Sequence, residues 1–256
     1  MKKRIEDLRL IENIRLNDEY FEIVLISGHP LPEILPGQFA EVRVDGSETT
    51  FLRRPFSFFD TETEKQQVRL LIQIVGEGTQ RLSEIKPGTF LNLIYPLGRS
   101  FSLPEGKKFL LVAGGVGIAP MLLLGKWLRA QDRDPVFLFG FRSHRQFFEL
   151  DRFEALGEVY VTTEDGSLGV KGLVTAHPLL ADEGFSGIYT CGPEPMMKAV
   201  AHVAAEKNLF CEASLENTMA CGFGACLTCA RQTTEGVKMV CSDGPVLNTK
   251  QIIWQT

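Results

Sequence analysis

Four of the six cysteines lie within residues 221–241, and their spacing is the strongest constraint on what this chain can fold into. They follow the pattern Cys221-x4-Cys226-x2-Cys229-x11-Cys241. The first three have the plant-type [2Fe–2S] spacing, and the fourth arrives from a later element. Small residues between the first two cysteines let the backbone approach inorganic sulfides closely. The pattern predicts that these four thiolates ligate a [2Fe–2S] cluster.

Two other uses of these cysteines stay open from the spacing alone. Cys226-x2-Cys229 on its own fits a zinc knuckle, although a zinc ribbon normally repeats the x2 spacing in both pairs. Disulfides are the third reading, but a secreted disulfide scaffold spreads its cysteines through a shorter chain. Cys211 is out of register with the set and is interpreted as a small buried apolar side chain.

Composition excludes several classes of function. Of the 256 residues, 44% are hydrophobic and 23% are charged, as in an ordinary globular protein. The net charge of −5 does not indicate a nucleic-acid-binding protein. The sequence contains no run of 18 apolar residues, so no membrane span is predicted. Acidic residues follow the basic start MKKR, whereas a signal peptide would continue with an apolar stretch. We therefore expect a cytoplasmic protein that has neither a membrane nor a nucleic-acid partner.

Residues 1–102 alternate like successive strands and contain no long helical pattern. Gly and Pro punctuate the runs, so the segment predicts an antiparallel β-barrel. The predicted strands are Leu8–Leu16, Tyr20–Ser27, Gln38–Val44, Val68–Val75 and Phe90–Tyr95.

Residues 103–210 alternate between apolar strands and helical segments, which predicts a doubly wound parallel sheet. The continuous apolar run Phe109–Ala113 suits a strand buried on both faces. Predicted strands follow at 136–141, 158–163 and 187–190, and predicted helices at 119–129, 145–155, 171–180 and 194–207. Residues 211–256 are Gly- and Cys-rich, which predicts a small cluster domain. The expected fold is thus multi-domain, β followed by α/β.

Two short motifs in the first domain suit a flavin. In Arg54-Pro55-Phe56-Ser57 the arginine can hold a diphosphate, the aromatic ring can lie against an isoalloxazine, and the serine hydroxyl can reach its N5 edge. Gly76-Glu77-Gly78-Thr79 follows a strand and leads into a helix start, which suits an anion. Taken alone, each tetrapeptide could also be an ordinary strand end. In this order, ahead of a nucleotide fold, they predict FAD.

Two further motifs suit a nicotinamide dinucleotide. Gly114-Gly115-Val116-Gly117-Ile118-Ala119-Pro120 follows a predicted strand, and its amides can face a pyrophosphate. Tyr189-Thr190-Cys191-Gly192-Pro193 closes another strand at the edge where ligands bind. We expect Gly115, Gly117, Cys191, Gly192 and Pro193 to bind NAD. Cys191 can line the nicotinamide pocket, but no neighbouring histidine predicts a nucleophile.

Two alternatives remain for Arg142 and Arg145, which follow the second strand of this domain. They can hold the 2′-phosphate of NADP, or they can be solvated surface charges. Together the three predicted sites form an electron relay, because a flavin can exchange two electrons with a nicotinamide and single electrons with a cluster.

The chain resembles the ferredoxin reductase superfamily and, within it, the family of electron-transfer subunits of the NAD-linked dihydroorotate dehydrogenase B. The resemblance covers nearly the whole chain. It lies in the four motifs above, in VGEGT at 75–79, in ENTMACGFGACLTC at 216–229 and in VCSDGPV at 240–246. There are two departures: Phe56 stands where the superfamily often has Tyr, and Thr228 where it often has Gly.

The resemblance implies FAD contacts at Arg54, Pro55, Phe56, Ser57, Leu71, Ile72, Gln73, Gly78 and Thr79. It also implies an FMN-containing catalytic subunit as the partner, in a heterotetramer of two copies of each chain. Electrons from dihydroorotate would pass from FMN through the cluster and FAD to NAD⁺, in pyrimidine (UMP) biosynthesis. The alternative is a subunit of another flavin and iron–sulfur oxidoreductase, of the ferredoxin:NADP oxidoreductase or sulfide dehydrogenase type. Those relatives often carry Asp at the first ligand position, where this chain has Cys221.

Overall fold

A computed structural model describes residues 3–47, 49–148 and 150–254. The first part of the chain is a curled antiparallel sheet of seven strands in the order β4-β3-β7-β1-β2-β6-β5, with one short helix, α1, between β6 and β7. This confirms the predicted antiparallel architecture, as a curled sheet. Its elements are β1 Arg4–Arg15, β2 Tyr20–Ile26, β3 Phe39–Val42, β4 Arg54–Ser57, β5 Asp60–Glu62, β6 Gln67–Gln73, α1 Glu77–Ser83 and β7 Phe90–Leu97.

The second part is a parallel sheet with helices, as the alternation of apolar strands and helical segments predicts. Its strand order is β11-β10-β9-β8-β12-β13-β16, and all neighbours are parallel except β13 and β16. Its elements are β8 Lys108–Gly114, α2 Ala119–Ala130, β9 Asp134–Phe141, α3 Asp151–Glu154, β10 Val159–Thr163, β11 Val170–Lys171, β12 Gly187–Cys191, α4 Glu194–Glu206, β13 Phe210–Ser214 and β16 Val246–Asn248.

The last part carries an antiparallel hairpin, β14 Ala230–Thr233 and β15 Gly236–Met239. β16 then returns to the parallel sheet and pairs with β13. The chain between these two strands, which contains the hairpin, is therefore anchored to the parallel sheet at both ends. The domain boundaries at 102/103 and 210/211 stay predictions. No helix in the described ranges is both long and apolar enough to cross a bilayer.

The helix predicted over 145–155 is confirmed only at Asp151–Glu154. The chain forms a 3-10 turn at His144–Gln146, becomes extended at Phe147, and only then makes the single turn of α3. Phe148 is buried in the neighbouring core, and adjacent Phe147 packs against the same core. Glu149, within this predicted helix, lies outside the described residues.

The helix predicted over 171–180 is also wrong. β11 ends at Lys171, and two 3-10 turns follow, Val174–Ala176 and Pro178–Ala181. Pro178 disfavours helical geometry in the residue before it, and His177 is extended, with φ −75° and ψ 129°. A continuous helix therefore cannot run through His177 and Pro178.

Strand β2 is buried on both faces and joins the two sheets. Phe21, Ile23 and Leu25 point into the barrel core, whereas Tyr20 and Glu22 point toward the nucleotide domain. The Glu22 carboxylate accepts a hydrogen bond from Arg69 of β6 at 2.8 Å and another from Arg152 of α3 at 3.2 Å. A buried carboxylate thus connects the barrel to the nucleotide domain.

Replacement of Glu22 by Gln should destabilise the protein by about 2–3 kcal/mol, because two arginines would lose their charged acceptor. Thermal unfolding of the purified protein measures the effect as a fall in melting temperature. The matched control is Asp45→Asn, which breaks the exposed Arg43–Asp45 pair and should leave the melting temperature unchanged. Equal melting temperatures for Glu22→Gln and the unaltered protein would contradict the structural role of Glu22.

Candidate functional site

The hairpin β14–β15 brings the third and fourth cysteines of the motif together. Cys229 precedes β14 and Cys241 follows β15, and their Sγ atoms lie 3.1 Å apart. Both side chains are buried. Burial, together with the neighbouring Cys229, raises the pKa of Cys241 to about 12. Antiparallel pairing therefore closes the gap of eleven residues that separates these two sulfurs in the sequence.

The first two cysteines form a second pair. The Cys221 Sγ accepts hydrogen bonds from the amides of Ala225 at 3.3 Å and Cys226 at 3.5 Å. Cys226 is exposed, and hydrogen bonds from Thr228 and then Cys221 lower its pKa to about 6. Thr228 thus favours the thiolate form of its neighbour Cys226.

The two pairs of thiols suit two irons better than one zinc ion. Each iron of an all-cysteine [2Fe–2S] cluster takes two thiolates, whereas structural zinc draws four ligands to one point. In the described part of the chain, no three or more His, Cys, Asp or Glu side chains converge as a site for one metal ion. All six cysteines are free thiols. The donor set thus fits a binuclear cluster.

The cluster loop lies directly on the barrel. Gly222 has φ +74°, and a Cβ built there would lie 2.6 Å from Cγ of Glu41 on β3 and 2.9 Å from Leu97 on β7. Any side chain at this position would therefore clash with the barrel. The Glu41 carboxyl is fully buried, neither oxygen has a hydrogen-bond partner within the described ranges, and burial raises its pKa to about 7. A buried titratable group thus separates the cluster loop from the strand that carries Arg54.

A cavity of about 570 Å³ opens between the barrel and the other two parts of the chain. β4 contributes all four residues of Arg54-Pro55-Phe56-Ser57 to its wall, and Gly78 and Thr79 line it from α1. The Arg54 guanidinium donates to the Leu52 carbonyl at 3.0 Å, so its remaining N–H groups can serve a ligand. The sequence motifs predicted for FAD therefore share one wall.

The hydroxyl of Thr79 is occupied within its own loop. It accepts hydrogen bonds from the amides of Val75 at 2.9 Å and Gly76 at 3.2 Å, and it donates to the Gly76 carbonyl at 3.0 Å. Thr79 thus shapes the first turn of α1. The contribution of this turn to a ligand comes from its backbone, and a Cβ at Gly78 would lie 3.1 Å from the Thr50 side chain.

The three β6 residues implied as FAD contacts divide by strand alternation. Leu71 and Gln73 line the cavity. Ile72 points to the opposite face and is buried in the barrel core. Only the backbone of Ile72 is left for a contact with a bound flavin.

The nucleotide domain and the cluster segment line the same cavity. Val116, Gly117, Ala119 and Pro120 come from the turn after β8, and Cys191 from the end of β12. Burial raises the pKa of the Cys191 thiol far above its ordinary value, so this group stays protonated and is no nucleophile. Its position at the wall of this cavity places it between the predicted flavin and nucleotide sites.

A second cavity of about 460 Å³ adjoins the first and is lined by Gly115, Gly117, Gly192 and Pro193. A Cβ at Gly117 would lie 2.3 Å from the carbonyl oxygen of Cys191. Gly192 has φ +139°, and a Cβ there would lie 2.8 Å from the Gly114 carbonyl oxygen. The two turns thus touch backbone to backbone, which opens their remaining amides toward the cavity and fits a dinucleotide phosphate.

The structure places Arg142 and Arg145 differently with respect to the second cavity. Arg142 lines the second cavity, and Arg145 does not. Glu164, which follows β10, lines this cavity as well. An acidic side chain at such an edge suits a ribose hydroxyl rather than a phosphate. This arrangement favours NAD over NADP.

Sequence reasoning missed several lining residues. The segment Ser214–Asn217 lines the first cavity together with Met219 and Pro245, and Glu216 reaches both cavities. Thr50 and Tyr20 are also lining residues. A signal existed for the segment 214–217, because it follows β13 at the carboxyl edge of a parallel sheet. No local signal marks Tyr20 or Thr50, which reach their cavities only through tertiary packing.

Two family models match the chain. Residues 216–253 match the iron–sulfur cluster binding domain of dihydroorotate dehydrogenase B. Residues 111–202 match an oxidoreductase NAD-binding domain. The first range contains all four clustered cysteines, and the second contains most of the residues that line the second cavity.

Relatives and a solved structure resemble the chain over nearly its whole length. It is 42% identical to the electron transfer subunit of dihydroorotate dehydrogenase B (NAD(+)) from Caldanaerobacter subterraneus subsp. tengcongensis, covering 96% of this chain and 97% of the relative. It is 35% identical to the subunit of the same name from Shouchella clausii, and this match covers 99% of this chain and 100% of the relative.

The solved structure is that of the NADH-dependent reduced ferredoxin-NADP oxidoreductase, described in connection with flavin-based electron bifurcation. It superposes with a TM-score of 0.87 at 30% identity and covers 96% of this chain and 90% of that one. The sequence identity to the curated relatives, the matched cluster domain and the four paired cysteines agree. The chain belongs to the family of electron-transfer subunits of the NAD⁺-linked dihydroorotate dehydrogenase B.

Proposed function

We propose that this chain transfers electrons between NAD⁺ and a separate FMN-containing subunit that oxidises dihydroorotate to orotate. The proposal comprises FAD in the first cavity, NAD in the second, and a [2Fe–2S] cluster on the four paired cysteines. When bound, the flavin exchanges two electrons with the nicotinamide and single electrons with the cluster. The chain's own contribution is to bind these groups side by side and to keep water from between them.

One observation carries the proposal: a single cavity is lined by all three parts of the chain. β4 and α1 supply the barrel wall, Gly117 and Cys191 the nucleotide wall, and Met219 and Pro245 the wall that leads into the cluster segment. A cofactor bound there touches the elements that hold both other groups. This common wall is what a relay needs, because transfer between centres depends on their proximity.

Individual residues take defined roles in this proposal. The Arg54 guanidinium holds the FAD diphosphate, while the ring of Phe56 and the hydroxyl of Ser57 lie against the flavin. The amides of the turn at Gly115 and Gly117, with Gly192 and Pro193 opposite, hold the NAD pyrophosphate. Cys191, a neutral thiol, packs between the two sites.

The partner and the assembly belong to the same proposal. The relatives are named electron transfer subunits, which implies a catalytic subunit on another chain. We infer a heterotetramer with two copies of each chain, located in the cytoplasm. The clustered cysteines support this location, because thiolates remain available to ligate a cluster in a reducing compartment. The boundaries 1–102, 103–210 and 211–256 enter the proposal as the flavin, nucleotide and cluster domains.

The decisive experiment isolates this chain together with its native partner. The complex should reduce NAD⁺ when given dihydroorotate, and the partner should contain FMN. The isolated chain should oxidise NADH with artificial acceptors yet leave dihydroorotate unchanged. Dihydroorotate turnover by the isolated chain would contradict the division of labour. A partner that handles ferredoxin or sulfide would instead support the alternative oxidoreductase assignment.

Metal analysis tests the cysteine assignment. The protein prepared without oxygen should contain two irons and two acid-labile sulfides per chain, as the cluster formula requires. Cys229→Ser should remove most of the iron and sulfide and leave FAD bound. Cys211→Ala is the matched control, because this cysteine is also buried but lies outside the set, and its iron content should stay unchanged. Stoichiometric zinc without iron in the unaltered protein would refute the cluster.

Arg54→Ala should weaken FAD binding by about ten- to a hundredfold, the range expected when a hydrogen bond to a charged group is lost. Equilibrium dialysis of the flavin measures this change. The neighbouring Arg53→Ala is the control. Arg53 donates to the Asn92 carbonyl at 2.8 Å and does not line the cavity, so its loss should lower stability but keep FAD affinity. Equal flavin affinity for both variants would show that Arg54 has no role at the diphosphate.

A further inference from the structure

Tyr20 belongs to the flavin barrel but reaches the nucleotide cavity. It begins β2, and its backbone amide donates to Oδ1 of Asn17 at 2.9 Å, which holds it at the end of the turn. Its ring is fully buried and packs against Phe148 of the nucleotide domain, with the ring centroids 5.8 Å apart. Packing from both domains therefore restricts where the hydroxyl points.

The Tyr20 hydroxyl lines the nucleotide cavity beside Gly115. A Cβ built on Gly115 would lie 3.4 Å from the Tyr20 oxygen, so the hydroxyl lies close to the backbone of the glycine-rich turn. Gly115 has φ +56°, a conformation that glycine adopts without strain. The turn and the hydroxyl therefore face the same space.

This hydroxyl has no hydrogen-bond partner among the described residues. A buried polar group without a partner costs free energy, so such a group is expected to meet a ligand or water. Burial raises the pKa of Tyr20 to about 12, which keeps its proton in place at neutral pH. The group is thus available as a hydrogen-bond donor.

The charged groups that line this cavity are of both signs, because Glu164 and Glu216 line it as well as Arg142. Arg142 lines the same cavity and brings a positive charge. The nearby Glu19 carboxylate is engaged through Oε2, which accepts from Gln73 at 3.1 Å and from Gln146 at 2.7 Å. The donors in this cavity include the turn amides, Arg142 and Tyr20, a combination that suits a phosphate oxygen.

We propose that the Tyr20 hydroxyl donates a hydrogen bond to a phosphate oxygen of the dinucleotide bound at the Gly114–Gly117 turn. The inference rests on the proposed NAD site and adds a positioning residue from the other domain. Nucleotide recognition then involves the flavin barrel directly. A bound dinucleotide would join the two domains at the seam where β2 is buried on both faces.

The test compares Tyr20→Phe with the FAD-loaded native chain. The substitution keeps the ring and its packing and removes only the hydroxyl. The dissociation constants for NAD⁺ and for ADP-ribose should both rise about tenfold. ADP-ribose carries the diphosphate without the nicotinamide, so it isolates the phosphate contact. The melting temperature without nucleotide should stay the same or rise, because an unpaired buried hydroxyl is removed.

Tyr95→Phe is the matched control. Tyr95 is equally buried, but its hydroxyl donates to Glu6 at 2.6 Å, and it does not line the nucleotide cavity. This variant should lose stability and keep nucleotide affinity.

Three results would overturn the inference: unchanged affinity of Tyr20→Phe for NAD⁺, unchanged affinity for ADP-ribose, or a loss of stability without nucleotide as large as that of Tyr95→Phe. Failure of the native chain to bind either nucleotide would instead contradict the proposed function.

Discussion

The double burial of β2 is the constraint on which the rest of the structure depends. A strand at the surface of a curled sheet normally exposes one face, but here the outer face is covered by the nucleotide domain. Glu22 anchors the seam through Arg69 and Arg152, and Tyr20 extends it to the glycine-rich turn. The second cavity reaches this seam at Tyr20, and the first cavity adjoins the second. Their shape therefore depends on how the two domains pack and cannot be assigned to either domain alone.

The cluster segment is held by a second set of contacts. β16 pairs with β13 of the parallel sheet, whereas Gly222 lies against Glu41 and Leu97 of the barrel. One short segment is thus attached to both larger domains. It has little apolar volume of its own, and its buried cysteines share a core with side chains of the barrel and of the parallel sheet. This sharing explains why the segment lies at the wall of the flavin cavity.

The backbone contacts between glycine turns have a direct chemical use. The turn after β8 and the turn after β12 approach so closely that a side chain at Gly117 or Gly192 would meet backbone atoms. Backbone this close leaves amides rather than side chains facing the cavity, which suits a phosphate group. The same closeness brings Cys191 to the boundary between the two cavities, where burial keeps its thiol neutral.

The sequence by itself determined the local chemistry: the cysteine spacing, the two flavin motifs, the two glycine turns and the change from strand alternation to alternating strands and helices. These features are local, because each depends on residues within a few positions of one another. Only the tertiary structure decided where Tyr20, Thr50 and Glu216 lie and that Ile72 points away from the cavity. The break in 171–180 at Pro178 is a local signal that the sequence already contains. The tertiary structure decided that only Asp151–Glu154 of 145–155 is helical, since Phe148 is buried in the neighbouring core. Such outcomes depend on contacts between residues far apart in the chain, which no local pattern encodes.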